Sequence, residues 1–189
     1  MANAGLALVG LTLVAYPTAT DLYSRRVLQP RLTASLNAPA TRAAYAAGHV
    51  AVAAPLTRMR IPALDIDTVV VEGVTKGALR AGAGHYPTTP LPGHDGNVAI
   101  AGHRTTYGQP FRHLDRLAVG DTIELVTPVG AFTYRVMRPP FVVAPTDISV
   151  LQQDARALLT LTTCHPVDSA RDRLVVQAVL VSAGAARAA

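Results

Sequence analysis

"LTLTTCHPVDSARDRL", residues 159–174, holds the only cysteine of the chain at the point where an apolar run gives way to a polar loop. Two β-branched runs, "LLTLTTC" and "RLVVQAVLV", flank the loop "HPVDSARD" and are expected to pair as antiparallel strands. Side chains alternate along a strand, so Thr160, Thr162 and Cys164 share one face while Leu159 and Leu161 take the other. Across the loop, Cys164 and Arg173 are then expected to stand opposite one another, with Cβ atoms about 4.5–5.5 Å apart. A guanidinium beside a thiol favours the thiolate, which is the nucleophilic form, and can hydrogen-bond an oxyanion formed when sulfur attacks a carbonyl. Arg171 shares the side-chain parity of Arg173 and competes with it for this place.

Outward from this pair, the chain from Leu56 reads as short β-branched runs between Pro, Gly and Asp turns: "RMRIP", "DTVVVEG", "NVAIAGH", "DTIELVT", "AFTYRVM" and "FVVAP" precede the last two. Eight short strands with little room for helices beyond "TKGALRAG" and "QPFRHLDRL" predict an all-β barrel or sandwich. "VTPVGAFTY" has the form of a tight hairpin.

The chain has 189 residues, half of them hydrophobic, which suits one domain with a modest extension. Its net charge of +5 comes almost entirely from scattered arginines, and aromatics make up only 5% of residues. Without a basic stripe and stacking rings, a nucleic-acid partner is not expected; the charge suits an anionic envelope. A single cysteine cannot close an internal disulfide, and no CxxC, HExxH or close His/Cys set points to structural zinc.

Residues 2–20, "ANAGLALVGLTLVAYPTAT", carry no charge. A spanning helix needs about 20 apolar residues and a signal-peptide core roughly 7–15. Residues 1–20 are read as an uncleaved anchor, with a secretory signal and a buried helix of the domain as alternatives. Residues 21–55, rich in Ala, Arg, Thr and Pro, are expected to be a stalk or linker, because Pro30, Pro39 and Pro55 limit helices to short pieces. Residues 56–183 form the expected catalytic domain and 184–189 a tail.

Thiol catalysis calls for a proton shuttle, and histidine titrates in the useful range. Of the six histidines, His103 ends the strand "NVAIAGH", where small Ala99 and Ala101 on its own face leave room for a close neighbour. His165 adjoins the cysteine but lies in the loop, and His49, His85, His94 and His113 fall in the linker, turn-rich stretches or a helix-like segment.

"TLTTC", the arginine that opens the last apolar strand, and the upstream "AIAGHR" together resemble the sortases, cysteine transpeptidases of the Gram-positive cell envelope. The resemblance runs from about Met59 to Val181. "GHYPTTPLPG", "AGHRTTYG" and "TTCHPVDSARDRLVV" are most similar to class E, the housekeeping type of high-GC actinobacteria. It implies a closed eight-stranded β-barrel with short helices and a site on a groove at its edge. His103, Cys164 and Arg173 match the family's catalytic histidine, cysteine and arginine; Arg173 is preferred to Arg171 because it stands directly before "LVVQA".

The resemblance further implies cleavage of a C-terminal sorting signal between Thr and Gly, a thioester on Cys164, and transfer of the acyl group to an amine of a peptidoglycan precursor or a pilin lysine. The implied partners are secreted proteins carrying that signal, of LAXTG rather than LPXTG type, and the membrane through the N-terminal segment. The implied location is the extracytoplasmic face of the cell membrane. Tyr86, in "GHYP", is the candidate contact for the second signal residue, and Thr162 and Thr163 are candidates for lining the groove. No cofactor is expected. No metal is expected either: the segment 139–151 offers only Asp147 as a carboxylate, whereas calcium takes about six to eight oxygens. A hydrolytic thiol protease and a barrel that only binds sorting signals are the competing readings.

Overall fold

The computed structural model describes residues 15–185. Most of the expected anchor, residues 1–14, and residues 186–189 of the expected tail lie outside the described residues. Among the described residues no helix is long and apolar enough to cross a membrane.

Among the described residues there are nine strands: β1 (Pro55–Ile61), β2 (Ile66–Glu72), β3 (Ala83–His85), β4 (Asn97–Gly102), β5 (Thr122–Val126), β6 (Gly130–Val136), β7 (Phe141–Val143), β8 (Leu158–His165) and β9 (Asp172–Ala185). They lie in the order β6-β5-β1-β2-β3-β4-β8-β9, and β9 pairs again with β6, which closes the sheet. The result is the expected eight-stranded barrel. Closure removes the exposed sheet edge that an open sheet would present. β2–β3 and β4–β8 are parallel pairs; the other pairs are antiparallel.

The membership of the eight differs from the expectation. β7 stands outside the closed ring, pairing only with the start of β9, and β3 takes a place in it. β3 is the tripeptide Ala-Gly-His, whose small residues carry no strand signal. Gly84 is required by a close approach: a Cβ there would meet the Gly73 carbonyl oxygen. The composition that lets β3 fit thus also hides it.

Met59, Ile61, Val70, Val98, Ile100, Ile123, Leu125, Leu159, Leu161 and Val176 fill the barrel interior and are essentially inaccessible to solvent. Each such side chain contributes about 1.5–3 kcal/mol from leaving water. Leu159 and Leu161 point inward as alternation demands. The opposite face of β8 is also covered, and Thr160 and Thr162 are buried there.

Residues 21–55, expected to be a stalk or linker with helices limited to short pieces, are largely helical and lie against β1 and β2. Residues 15–23 are helical and run through a π-turn (Ser24–Leu28) into a helix (Gln29–Leu36), and a second helix (Pro39–Ala46) follows. Pro39 falls in the first turn of its helix, where a missing N–H costs nothing, and Pro30 falls where the π-turn passes into Gln29–Leu36, so neither proline keeps the segment from being helical. Leu36 and Tyr45 are buried, and the Tyr45 hydroxyl donates to the Pro92 carbonyl at 2.9 Å.

Candidate active site

β4, β8 and β9 are neighbours in the sheet, with β8 between the other two. In the β8–β9 register Cys164 stands directly opposite Arg173, as the alternation of the two runs predicts. β4 and β8 run parallel, with Ala101 beside Thr162. The pairing ends there; β4 stops at Gly102, and His103 is the next residue, with Cys164 two residues beyond Thr162 on β8. Three adjacent strand ends thus deliver a histidine, a cysteine and an arginine to one corner of the barrel, in that spatial order.

The β4–β8 side is tied by a side chain: the Thr163 hydroxyl donates to the Gly102 carbonyl at 2.8 Å. Thr163 is therefore buried and its hydroxyl is spent on the backbone, unlike the groove-lining role expected of it. Thr162, on the face of Cys164, shares a hydrogen bond with the Tyr86 hydroxyl at 3.1 Å. Tyr86, half-buried, is fastened by its own N–H to the Ala99 carbonyl at 2.9 Å.

Cys164 is a free, half-buried thiol. The His103 ring is half-buried, and desolvation lowers its pKa from the ordinary histidine value. Its backbone is held at both ends, N–H to the Gly82 carbonyl at 3.4 Å and C=O from the Phe111 N–H at 3.2 Å. Its ring packs against Tyr107 with centroids 5.1 Å apart and planes at 40°. The Arg173 Nη1 donates to the Ala170 and Asp172 carbonyls, both at 3.0 Å. Among the described residues Arg173 makes no salt bridge with a carboxylate, so its remaining N–H groups are available to a substrate oxygen. Arg171 is different: its side chain is 76% exposed and its Nε is paired with the Asp172 carboxylate at 3.0 Å.

Arg104, the residue after His103, was not singled out by its sequence and proves central to the corner. It is 4% exposed, and its Nη1 donates to the Cys164 carbonyl at 3.2 Å and to His165 Nδ1 at 3.0 Å. Its Nε donates to the Arg112 carbonyl at 3.3 Å and its Nη2 to Asp115 Oδ1 at 3.0 Å. A buried fork with several fixed acceptors is a task for arginine rather than lysine. Because arginine can only donate, His165 Nδ1 must be an acceptor, which holds that ring in one tautomer. The available signal was the tetrapeptide "AGHR" itself, but an isolated arginine gives no sign of burial.

A second buried pair lies beneath Tyr86. His85 Nδ1 faces the Glu72 carboxylate at 2.9 Å, and its Nε2 lies 3.0 Å from both the Pro90 carbonyl and the Thr89 hydroxyl oxygen. Thr89 gives its proton to the Tyr86 carbonyl and accepts the Ala99 N–H, so the loop from Tyr86 to Pro90 is pinned from several sides.

Among the described residues no group of three or more His, Cys, Asp or Glu side chains could hold a metal ion. Asp147 lies in the segment between β7 and β8, where its Oδ1 accepts the Ser149 N–H at 2.9 Å.

The Sortase domain model matches residues 59–181. Sortase SrtE1 of Streptomyces coelicolor is 32% identical over 138 residues, covering 65% of this chain and 39% of the relative. The chain therefore spans well under half the length of that relative. Sortase E from Streptomyces avermitilis superposes with a TM-score of 0.65 at 36% identity, covering 71% of this chain and 93% of that one. A Clostridium perfringens sortase D5 transpeptidase gives 0.71 at 28% identity, covering 87% and 99%. These likenesses fall on the same barrel whose adjacent strand ends carry His103, Cys164 and Arg173, and the chain belongs to the sortase family.

Proposed function

We propose that the protein is a class E-like cysteine transpeptidase that cleaves a C-terminal LAXTG-type sorting signal between Thr and Gly and transfers the Thr carboxyl to an amine of a peptidoglycan precursor. The observation that carries this reading is the register itself, with Cys164 opposite Arg173 on β9 and flanked on its other side by the end of β4.

The Cys164 thiolate attacks the Thr carbonyl carbon, and the electron pair of the C=O moves onto oxygen, where the free Arg173 N–H groups stabilise it. The C–N bond to Gly then breaks as the His103 imidazolium gives its proton to the departing amine, leaving a thioester on Cys164. The incoming amine gives a proton to the now neutral His103 and attacks the thioester carbonyl, and the C–S bond breaks to regenerate the thiolate. No cofactor enters the balance. The uncharged, largely apolar stretch that precedes Tyr16, the first of the described residues to contact the Tyr107 loop, supports membrane attachment at the extracytoplasmic face. Tyr86, linked to Thr162 beside the nucleophile, is assigned to the second residue of the signal.

The test is mass spectrometry of the full chain incubated with an LAXTG peptide and a glycine amine, with an LPXTG peptide in parallel. The expected result is a ligated product that favours LAXTG and disappears in Cys164→Ala. Hydrolysis alone despite added amine would replace the transferase with a thiol hydrolase. Turnover retained in Cys164→Ala would overturn the mechanism, and binding without any turnover would leave only a signal-binding barrel. A pilin lysine peptide preferred as acceptor would redirect the assignment to pilin polymerisation.

A further inference from the structure

The turn after His103 places Tyr107, Gly108 and Gln109 at φ of 52°, 83° and 48° in succession. Only the central residue is a glycine, for which this region is free of steric cost; at the two flanking residues the conformation persists only where the surroundings enforce it. The enforcing contacts come from the N-terminal helix, far away in sequence. Asp21 Oδ1 accepts the Gly108 N–H at 2.8 Å, and Asp21 Oδ2 accepts from the Gln109 side-chain amide. Thr20 Oγ1 accepts the Tyr107 N–H at 3.5 Å, and the Tyr16 and Tyr107 hydroxyls share a 2.6 Å hydrogen bond.

Tyr107, thus held, is the residue whose ring lies 5.1 Å from that of His103. At the joint the Tyr16 and Tyr107 rings also meet edge to face, with centroids 6.3 Å apart. A cavity of about 370 Å³ lies behind it, between Arg25 and Gln29 of the helical segment and Tyr107, Pro110 and His113 of the loop. With open space behind the turn, the hydrogen bonds to Asp21 join the local ones from Gln109 N–H to the Thr106 carbonyl and from Arg112 N–H to the Gln109 carbonyl in holding its shape.

We propose that Asp21 is a positioning residue for the histidine of the active site: by fixing the turn at Gly108 and Gln109 it holds the Tyr107 ring against His103. The catalytic consequence rests on the transpeptidase reading above; the positioning does not. The helix that leads out of the N-terminal segment is thereby part of the catalytic corner and not only a tether.

The experiment compares Asp21→Ala, Asp21→Asn and Tyr45→Phe in the full chain. Tyr45→Phe removes a hydrogen bond from the second helix to Pro92, away from the His103 loop, and serves as the control for general loosening. The first readout is the chemical shift of the His103 ring protons, which the neighbouring Tyr107 ring perturbs. The second is kcat and KM on the sorting-signal peptide. Asp21→Ala is expected to move the His103 ring resonances and to lower kcat about tenfold with KM changed less than about twofold. Asp21→Asn, which retains an acceptor for Gly108, is expected to restore most of both, and Tyr45→Phe to change neither. His103 resonances that move no more in Asp21→Ala than in Tyr45→Phe would overturn the proposal. If the wild-type chain cleaves no peptide, the transpeptidase reading falls while the ring resonances still decide whether Asp21 positions His103.

Discussion

The two ends of β8 are built from the same three strands and use their polar residues in opposite ways. At the start of β8, Asn97 is 1% exposed; its Nδ2 donates to the Val150 and Gln152 carbonyls at 2.9 and 3.2 Å, and its Oδ1 accepts the Thr160 hydroxyl at 2.8 Å. The Asn97 and Thr160 side-chain groups are spent on other protein groups, which rigidifies the strands there. At the far end, Cys164 is a free thiol, Arg173 keeps unpaired N–H groups, and the His103 ring nitrogens have no hydrogen-bond partner among the described residues. The difference separates a polar network that holds a barrel together from one whose unsatisfied capacity is left for a substrate.

The largest effect that can break this comparison is at the free end. Arg173→Ala is expected to lower kcat/KM by about 10²-fold or more, because an oxyanion donor is lost, whereas exposed Arg171→Ala should change it by less than about threefold. Steady-state kinetics on the sorting-signal peptide decide this, and equal losses would move the role to Arg171. Next comes the support behind the corner. Arg104→Met leaves the Cys164 and Arg112 carbonyls without their partner, with an expected loss of about 10–10²-fold in kcat/KM. Arg104→Lys should rescue little, since a single ammonium cannot span four acceptors; full rescue would reduce Arg104 to a generic positive charge.

At the satisfied end the expected signature is reversed. Asn97→Ala should cost about 1–3 kcal/mol in denaturant unfolding by orphaning its buried partners, with kcat nearly unchanged in the folded fraction. A large kcat loss there would erase the contrast between the two ends. The smallest effect is the pH dependence of stability. Burial lowers the pKa of His103, so the unfolded chain binds its proton more readily than the folded one. The stability associated with a neutral His103 is present above the unfolded pKa near 6.5 and is lost as pH falls through the lowered folded value. Thermal melts from pH 8 downward should show Tm falling through that window, and His103→Gln should flatten that part of the curve.

The same contrast explains what could be read in the chain beforehand. The opposition of Cys164 and Arg173 follows from two runs, a polar loop and strand alternation, all local, and it appears in the register. Glycine and alanine in β3 carry no local preference strong enough to announce a strand. How much of segment 21–55 is helical is not stated by its composition, because proline's effect depends on its place in the helix. The role of Arg104 is not legible in the sequence, because burial of a guanidinium is decided by acceptors that arrive from Cys164, Arg112, Asp115 and His165, three of them on other elements.

By itself the sequence determined the strand pair at the C-terminal end, the parity that joins Cys164 to Thr162, and the motif set that resembles a sortase, because alternation and short motifs are properties of neighbouring residues. Only the tertiary structure decided that β3 rather than β7 is a member of the closed ring, that Arg104 is buried behind the nucleophile, and that Asp21 reaches the turn beside His103. Those outcomes depend on which distant backbone atoms come within hydrogen-bonding distance, and that is set by barrel closure, not by any local stretch of chain.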